Sequence, residues 1–239
     1  MAKIFLQAEW RKLILANYEI DKNILLPHLP FKTEVETRGN TCFVSLVAFM
    51  FLHTKVKGIS FPFHSNFEEV NLRFYVRYKE QNNWKRGVVF IKEIVPKSII
   101  TFVANTFYKE NYIIRPMKHS WEATKEYQLV EYNWKNNKRW NSIYIKSKNQ
   151  LQDIKKGSIE EYITDQSWGY TKISDNKTSE YEVEHPPWQF YETVESKVDV
   201  NFAELYGNSF TLLDETTPKA IFLAEGSAIT VREGVILKE

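Results

Sequence analysis

From Phe67 to Glu80 the chain alternates with a period of two. Val70, Leu72, Phe74 and Val76 share one side, and Glu69, Asn71, Arg73, Tyr75 and Arg77 share the other. Side chains alternate across an extended strand, so this stretch predicts a β-strand with one apolar face for a core. Gln81-Asn82-Asn83 supplies a turn, and residues 84–94 return as the second arm of a hairpin. No helical packing satisfies that pattern, so the chain must build a sheet around it.

The remaining segments extend the sheet. Residues 12–20 are β-like, and Asp21 is placed to cap a short helix through Leu26 that Pro27 and Pro30 close off. Residues 32–37 alternate charged and β-branched types, and 38–40 turn into a long strand over 41–55. Its unbroken Phe-Val-Ser-Leu-Val-Ala-Phe-Met-Phe run predicts burial on both faces. Residues 99–108 have helical spacing with Ser98 as candidate N-cap. Further strands are expected over 112–117 and 121–132, with a second hairpin from Asn136-Asn137 into 140–145. Ser158 to Glu161 fits a capping box in which the two side chains satisfy each other's backbone donors. Strands at 170–173, 181–184 and 188–194 follow, then a helix over 202–206 ended by Gly207, and closing strands at 220–224 and 228–237. Many short strands with a few short helices predict an α+β, mainly β, barrel or sandwich. No Pro-, Gly- or Ser-rich linker divides the 239 residues, so one domain over 1–239 is expected.

Composition excludes several functions. The 32 basic and 30 acidic residues alternate along the chain, where a nucleic-acid binder concentrates its cations on one stripe. The densest basic spots, 135–139 and 146–156, read as solvated turns around a hairpin. Cys42 is the only cysteine and lies in an apolar run, so a disulfide is excluded and an inert core thiol is expected. The longest apolar stretch, 42–52, is too short for a membrane span. The first apolar run is too short for a secretory leader, which makes a cytoplasmic location the expectation. An aromatic share of 15% favours pleated sheets and can line a cavity.

The polar side of residues 69–77 is where chemistry is expected. A solvated strand face is its ordinary meaning. Yet carboxylate, amide and guanidinium in one row also form a network suited to a small polar ligand, because arginine offers a planar fork to a carboxylate. Burial of such a row would require Glu69 to be ionised and paired beside Arg73.

Residues 67–76 (Phe-Glu-Glu-Val-Asn-Leu-Arg-Phe-Tyr-Val), followed by Arg86-Gly87-Val88-Val89-Phe90, resemble the signature of the YqjF-like family of bacterial proteins, a family of unknown function. Leu26-Pro27-His28-Leu29-Pro30, residues 158–162, His185-Pro186-Pro187-Trp188 and the Gly226 to Gly234 ending add to the resemblance. It implies an acetoacetate-decarboxylase-like fold, a closed or partly open antiparallel β-barrel with a few short helices and a central aromatic-lined cavity. It also implies that Glu69 occupies the place of a substrate-positioning glutamate. In such decarboxylases one lysine of an adjacent pair forms a Schiff base. Here the matching positions read Tyr112 and Ile113, so the pair is missing. Lys109 lies nearby but is followed by Glu110, which opposes the depressed pKa an imine-forming lysine needs.

Other constellations are weaker. His53 ends the long strand and His64 leads toward Glu69, so the two could meet at a cavity mouth, but no metal-ligand spacing occurs and ordinary hydrogen-bonded histidines are the better reading. His185-Pro186-Pro187-Trp188 is a stiff connection that either packs Trp188 inside or presents His185 and Trp188 at a cavity rim. The sequence thus points to a small-molecule-binding protein whose ligand residues are Glu69, Asn71, Arg73, His185 and Trp188. No metal, cofactor, nucleic acid or membrane is expected as a partner, and a small carboxylate or carbonyl compound is the expected ligand. The alternatives are an enzyme acting on a small carboxylate or keto acid without the Schiff-base lysine pair, its catalytic residues unassigned, and a protein-interaction domain.

Overall fold

A computed structural model describes residues 2–97 and 111–239. The helix expected over 99–108, and Lys109, lie outside the described residues. One 14-stranded sheet carries most of the chain. Its strands are β1 (Ile4–Ile20), β2 (Thr33–Val35), β3 (Cys42–Val56), β4 (Phe67–Glu80), β5 (Asn83–Val95), β6 (Tyr112–Ile114), β7 (Met117–Ala123), β8 (Tyr127–Asn136), β9 (Arg139–Asp153), β10 (Trp168–Ser174), β11 (Lys177–Glu184), β12 (Gln189–Asp199), β13 (Ala220–Arg232) and β14 (Val235–Lys238). The described helices are short: α1 (Lys22–Leu25), α2 (Ile159–Thr164), α3 (Phe202–Tyr206) and α4 (Leu212–Glu215). Asp21 caps α1 by accepting from the Asn23 N–H, as its sequence position predicts.

Hydrogen bonding runs β11-β10-β5-β4-β3-β1-β13 and returns from β13 to β11, so seven strands form a ring. Two of its ladders are only two residues long: β5–β10 at Gly87 and Val88, and β11–β13 at Val183 and Glu184. The β5–β10 ladder is parallel, as is β5–β6, within a sheet that is otherwise antiparallel. A Cβ on Gly87 would stand 2.3 Å from the Trp168 carbonyl oxygen, so only glycine lets β10 approach at this closure.

β13 joins the ring to the flanking strands. Its first half pairs β12 at Phe190–Ala224 and its last residues pair β11, with Gly226 at φ +81° between them. From β12 the sheet continues through β9, β8 and β7 and lies over the outer face of the ring. Lys12 fixes this flank: its ammonium reaches Glu225 Oε2 at 2.6 Å, Gln128 Oε1 at 2.9 Å and the Tyr191 hydroxyl at 3.2 Å.

Two apolar cores result. One fills the ring and includes Phe49, Phe51, Phe67, Tyr75 and Trp188. The other lies between the ring's outer face and the flanking sheet, and joins Val70, Leu72, Phe74 and Val76 to Tyr132, Trp134 and Phe202. β3 feeds both, which is why every residue from Cys42 to Phe51 is buried. Cys42 is among them, and burial pushes its thiol up.

Several expectations need correction. β1 begins at Ile4, not residue 12, and the strand expected over 121–132 is two strands joined by a turn in which the Thr124 N–H donates to the Tyr127 carbonyl. β9 runs on to Asp153, so most of the basic stretch 146–156 is strand. The closing strands expected at 220–224 and 228–237 are instead β13, which runs unbroken through Gly226 to Arg232, and the separate β14. At α2 the Ser158 hydroxyl accepts from the Glu161 N–H, but the Glu161 carboxylate accepts from Gly157 N–H, so the capping box is half formed.

Gly87→Ala is expected to lower stability by about 1–3 kcal/mol through forced separation of β5 and β10. Thermal denaturation of the variant checks this, and an unchanged midpoint would mean that the closure tolerates a side chain.

Candidate functional site

The alternating face of β4 points into the ring. Pairing with β3 sets Phe67 opposite Phe51, Glu69 opposite Phe49, Asn71 opposite Val47 and Arg73 opposite Ser45. Glu69, Asn71 and Arg73 are all buried, and the face continues into Tyr75 within the core. Arg77 leaves the row, pairing at the surface with Glu34 at 3.0 Å. The solvated reading of this face is therefore wrong: the ring encloses it.

The ring interior holds a space of about 140 Å³. Cavities of roughly 150 Å³ admit a benzene-sized molecule, which sets the scale of anything that fits. Trp10, Phe49, Phe51, Phe67, Phe90 and Trp188 supply apolar wall, and Glu69, Asn71, Arg73, Glu93, Tyr112 and Gln166 supply polar wall.

Glu69 Oε1 accepts from Asn71 Nδ2 at 2.9 Å and Oε2 from the Tyr112 hydroxyl at 3.1 Å. Burial raises the Glu69 pKa to about 7, against the opposing pull of those two hydrogen bonds and the Arg73 charge. Tyr112 is pushed well above its usual range, by burial first and then by Glu69 and Glu93, so its phenol stays a donor. Tyr112 is also where the resemblance places the first missing lysine. A phenol that hydrogen-bonds Glu69 stands there, while Ile113 packs against the outer core.

The expected Glu69–Arg73 ion pair is absent, and no carboxylate of the described residues pairs with Arg73. Its guanidinium reaches the Ile163 carbonyl at 3.5 Å and lies 5.9 Å from the Tyr75 ring. Arg73, Asn71, Gln166 and Thr54 all line this space, and Arg73 Nε, Asn71 Oδ1, Gln166 Oε1 and Thr54 Oγ1 have no hydrogen-bond partner among the described residues. Leaving a buried polar atom unsatisfied costs about 1–3 kcal/mol, so these residues give the wall hydrogen-bonding capacity beyond what the protein itself uses.

His185 and Trp188 border the same space. The imidazole stacks on the indole at 4.4 Å between ring centres, and Trp188 Nε1 donates to Ser227 Oγ at 2.9 Å. Burial holds the His185 pKa below its usual value. His64 also borders the space, whereas His53 is exposed near Glu9. Among the described residues no group of three or more His, Cys, Asp or Glu side chains is arranged to hold a metal. No helix of the described residues is long and apolar enough to cross a membrane.

Sequence reasoning missed Glu93, which is 2% exposed and lines the void. Counted from the hairpin turn, Glu93 falls on the outer face of β5. A β-bulge between Leu72 and Arg73 shifts the β4–β5 register by one residue, and the inward positions change from Val88 and Phe90 to Glu93 and Val95. A one-residue slip moves a strand's remaining side chains to the other face.

The model of a family of uncharacterized conserved proteins, DUF2071, matches residues 7–228. The chain belongs to the DUF2071 family. Uncharacterized protein YqjF of Bacillus subtilis (strain 168) is 24% identical over 196 residues, which cover 80% of this chain and 77% of YqjF. Among solved structures, the enduracididine biosynthesis enzyme MppR complexed with pyruvate aligns with a TM-score of 0.67 at 9% identity, covering 100% of this chain and 92% of MppR. The acetoacetate decarboxylase of Legionella pneumophila aligns at 0.66 with 10% identity, covering 98% and 88%. An acetoacetate decarboxylase-like enzyme from Sphingomonas wittichii RW1 aligns at 0.67 with 9% identity, covering 99% and 94%. At these identities the likeness carries the fold: this DUF2071 chain has an acetoacetate-decarboxylase-like architecture.

Glu69 gives a test of the buried site that needs no ligand. Its folded pKa of about 7 lies above its ordinary 4.5, so the protonated form is favoured in the fold. Its contribution is fully present below about pH 4.5 and is lost as pH rises through 7. Glu69→Gln, which mimics the protonated carboxyl, is expected to become more stable than wild type as pH rises from about 5 to 8, by on the order of 3 kcal/mol at the upper end. Denaturant unfolding across that range checks it, and a difference independent of pH would contradict the buried carboxyl.

Proposed function

We propose that this DUF2071 protein is a single-domain, cytoplasmic small-molecule-binding protein whose ring interior is a binding cavity for a compact carboxylate. The observation that carries the reading is Arg73, a buried guanidinium beside a void with no carboxylate partner among the described residues. A buried cation of this kind is stabilised by a bidentate anion. Asn71 and Gln166 offer further polar atoms, and His185 and Trp188 close the wall with a flat stacked surface. The continuous sheet supports reading the chain as one domain. That MppR is described in complex with pyruvate supports a small carboxylate as the ligand class.

A second reading, an enzyme acting on a small keto acid, is favoured by one observation. Glu69 is held at about 7, where a carboxyl can both give and take a proton near neutral pH. In that reading Glu69 is the acid–base group and Arg73 the carboxylate clamp. An imine route draws no support from the described walls, where no lysine borders the void. Borohydride treatment in the presence of keto acids tests that route, and absence of an adduct on any lysine ends it.

Calorimetric titration should find binding for compact carboxylates such as pyruvate and benzoate, and none for the matching amides. Arg73→Met should weaken binding by roughly 10- to 100-fold. Equal binding of acids and amides, or indifference to Arg73→Met in a folded variant, would refute the carboxylate site.

A further inference from the structure

Among the described residues, two carboxyl groups, Glu69 and Glu93, line the ring interior, each 2% exposed, against one guanidinium, that of Arg73. The Tyr112 hydroxyl lies between the two carboxylates, donating to Glu69 Oε2 at 3.1 Å and also hydrogen-bonding Glu93. The register explains their approach: Glu93 is paired directly with Asn71, next to Glu69 on the same inner face of β4. Glu69 and Arg73 are four residues apart on that face, about 13 Å along the strand, and their side chains leave a gap that no ion pair closes. A ligand placed in that gap meets a guanidinium at one end and paired carboxylates at the other.

A simple monoanion would balance Arg73 but conflict with the acidic pair Glu69 and Glu93, because it opposes ionisation of Glu69. In a dry interior, repulsion between like charges is several times stronger than in water. A ligand that also carries a cation removes the conflict. Glu69 and Glu93 suit such a cation, while Trp10, packed edge-on against Phe49, Phe51 and Trp188, supplies apolar wall for the rest of the ligand.

We propose that the cavity takes a zwitterion, an α-amino acid with a compact apolar side chain, with its carboxylate on Arg73 and its ammonium on Glu69 and Glu93. The aromatic wall receives the apolar side chain, and the volume of about 140 Å³ limits it to a few carbons. This rests on the carboxylate reading of the same site and narrows it.

Three compounds that share the isobutyl carbon skeleton test it on the full chain by calorimetry at neutral pH: L-valine, 3-methyl-2-oxobutanoate, which lacks the amine, and isobutylamine, which lacks the carboxylate. Valine is expected to bind at least roughly tenfold tighter than either of the others. Glu69→Gln should narrow the ratio of valine to oxo-acid affinity towards one, and Glu93→Gln should do the same if the first variant fails to fold. Oxo-acid binding as tight as that of valine would overturn the zwitterion and leave the carboxylate site standing. Isobutylamine binding as tight as that of valine would overturn both, since Arg73 would then contribute nothing. Failure of all three to bind would also overturn both.

Discussion

Closure of the ring is the constraint from which the rest of the structure follows. The circuit of seven strands depends on two ladders of two residues each, one admitted by Gly87 and the other made by the end of β13. Once the circuit is closed, the inward face of β4 loses its water whatever its side chains are. A face of Glu69, Asn71 and Arg73 then becomes the wall of an internal space. β13 pairs β12 on one side of Gly226 and β11 on the other, so the one strand joins the ring to the flanking strands.

Closure also separates the work of the two cores. The outer one, with Val70, Leu72, Phe74 and Val76 against Tyr132 and Trp134, is built from apolar side chains. It can supply the free energy that the inner one gives up to buried polar atoms. In a protein of marginal net stability, polar groups left unsatisfied in the ring need such an offset elsewhere. The Lys12 cluster ties the two together by pinning the flanking strands to β13 beside Gly226.

Strand existence was largely legible in the sequence, and strand side was legible only where the register stayed regular. The 14 residues of β4 and the doubly buried run of β3 follow from period and composition alone. The β7–β8 turn was hidden because Thr124-Lys125-Glu126 has none of the usual turn formers, and the Thr124 hydroxyl does their work by accepting from the Tyr127 N–H. Gly226 misled in the other direction, since a glycine inside a strand can mark a bulge as readily as a break. Glu93 was the costliest omission. Its inward direction depends on a one-residue bulge that no local pattern announces, and with it went half of the site's negative charge. The resemblance to acetoacetate decarboxylases placed Glu69 in a cavity wall, but it could not reveal that a phenol links Glu69 to a second carboxylate.

The expectation that burial would force Glu69 and Arg73 into an ion pair failed for an instructive reason. A buried pair is the cheapest way to hide two opposite charges, and the two residues share one face of one strand. The ring instead ties Glu69 to Asn71 and Tyr112 and turns Arg73 toward the Ile163 carbonyl. Proton uptake relieves the first charge, because a carboxyl with a pKa of about 7 is partly neutral at physiological pH. Arginine has no such escape, since its guanidinium stays protonated. The asymmetry makes Arg73 the residue whose environment is least complete, and it makes Glu69 the residue whose charge can respond to whatever completes it. In the proposed carboxylate site, Arg73 holds the anion in place and Glu69 adjusts the charge around it.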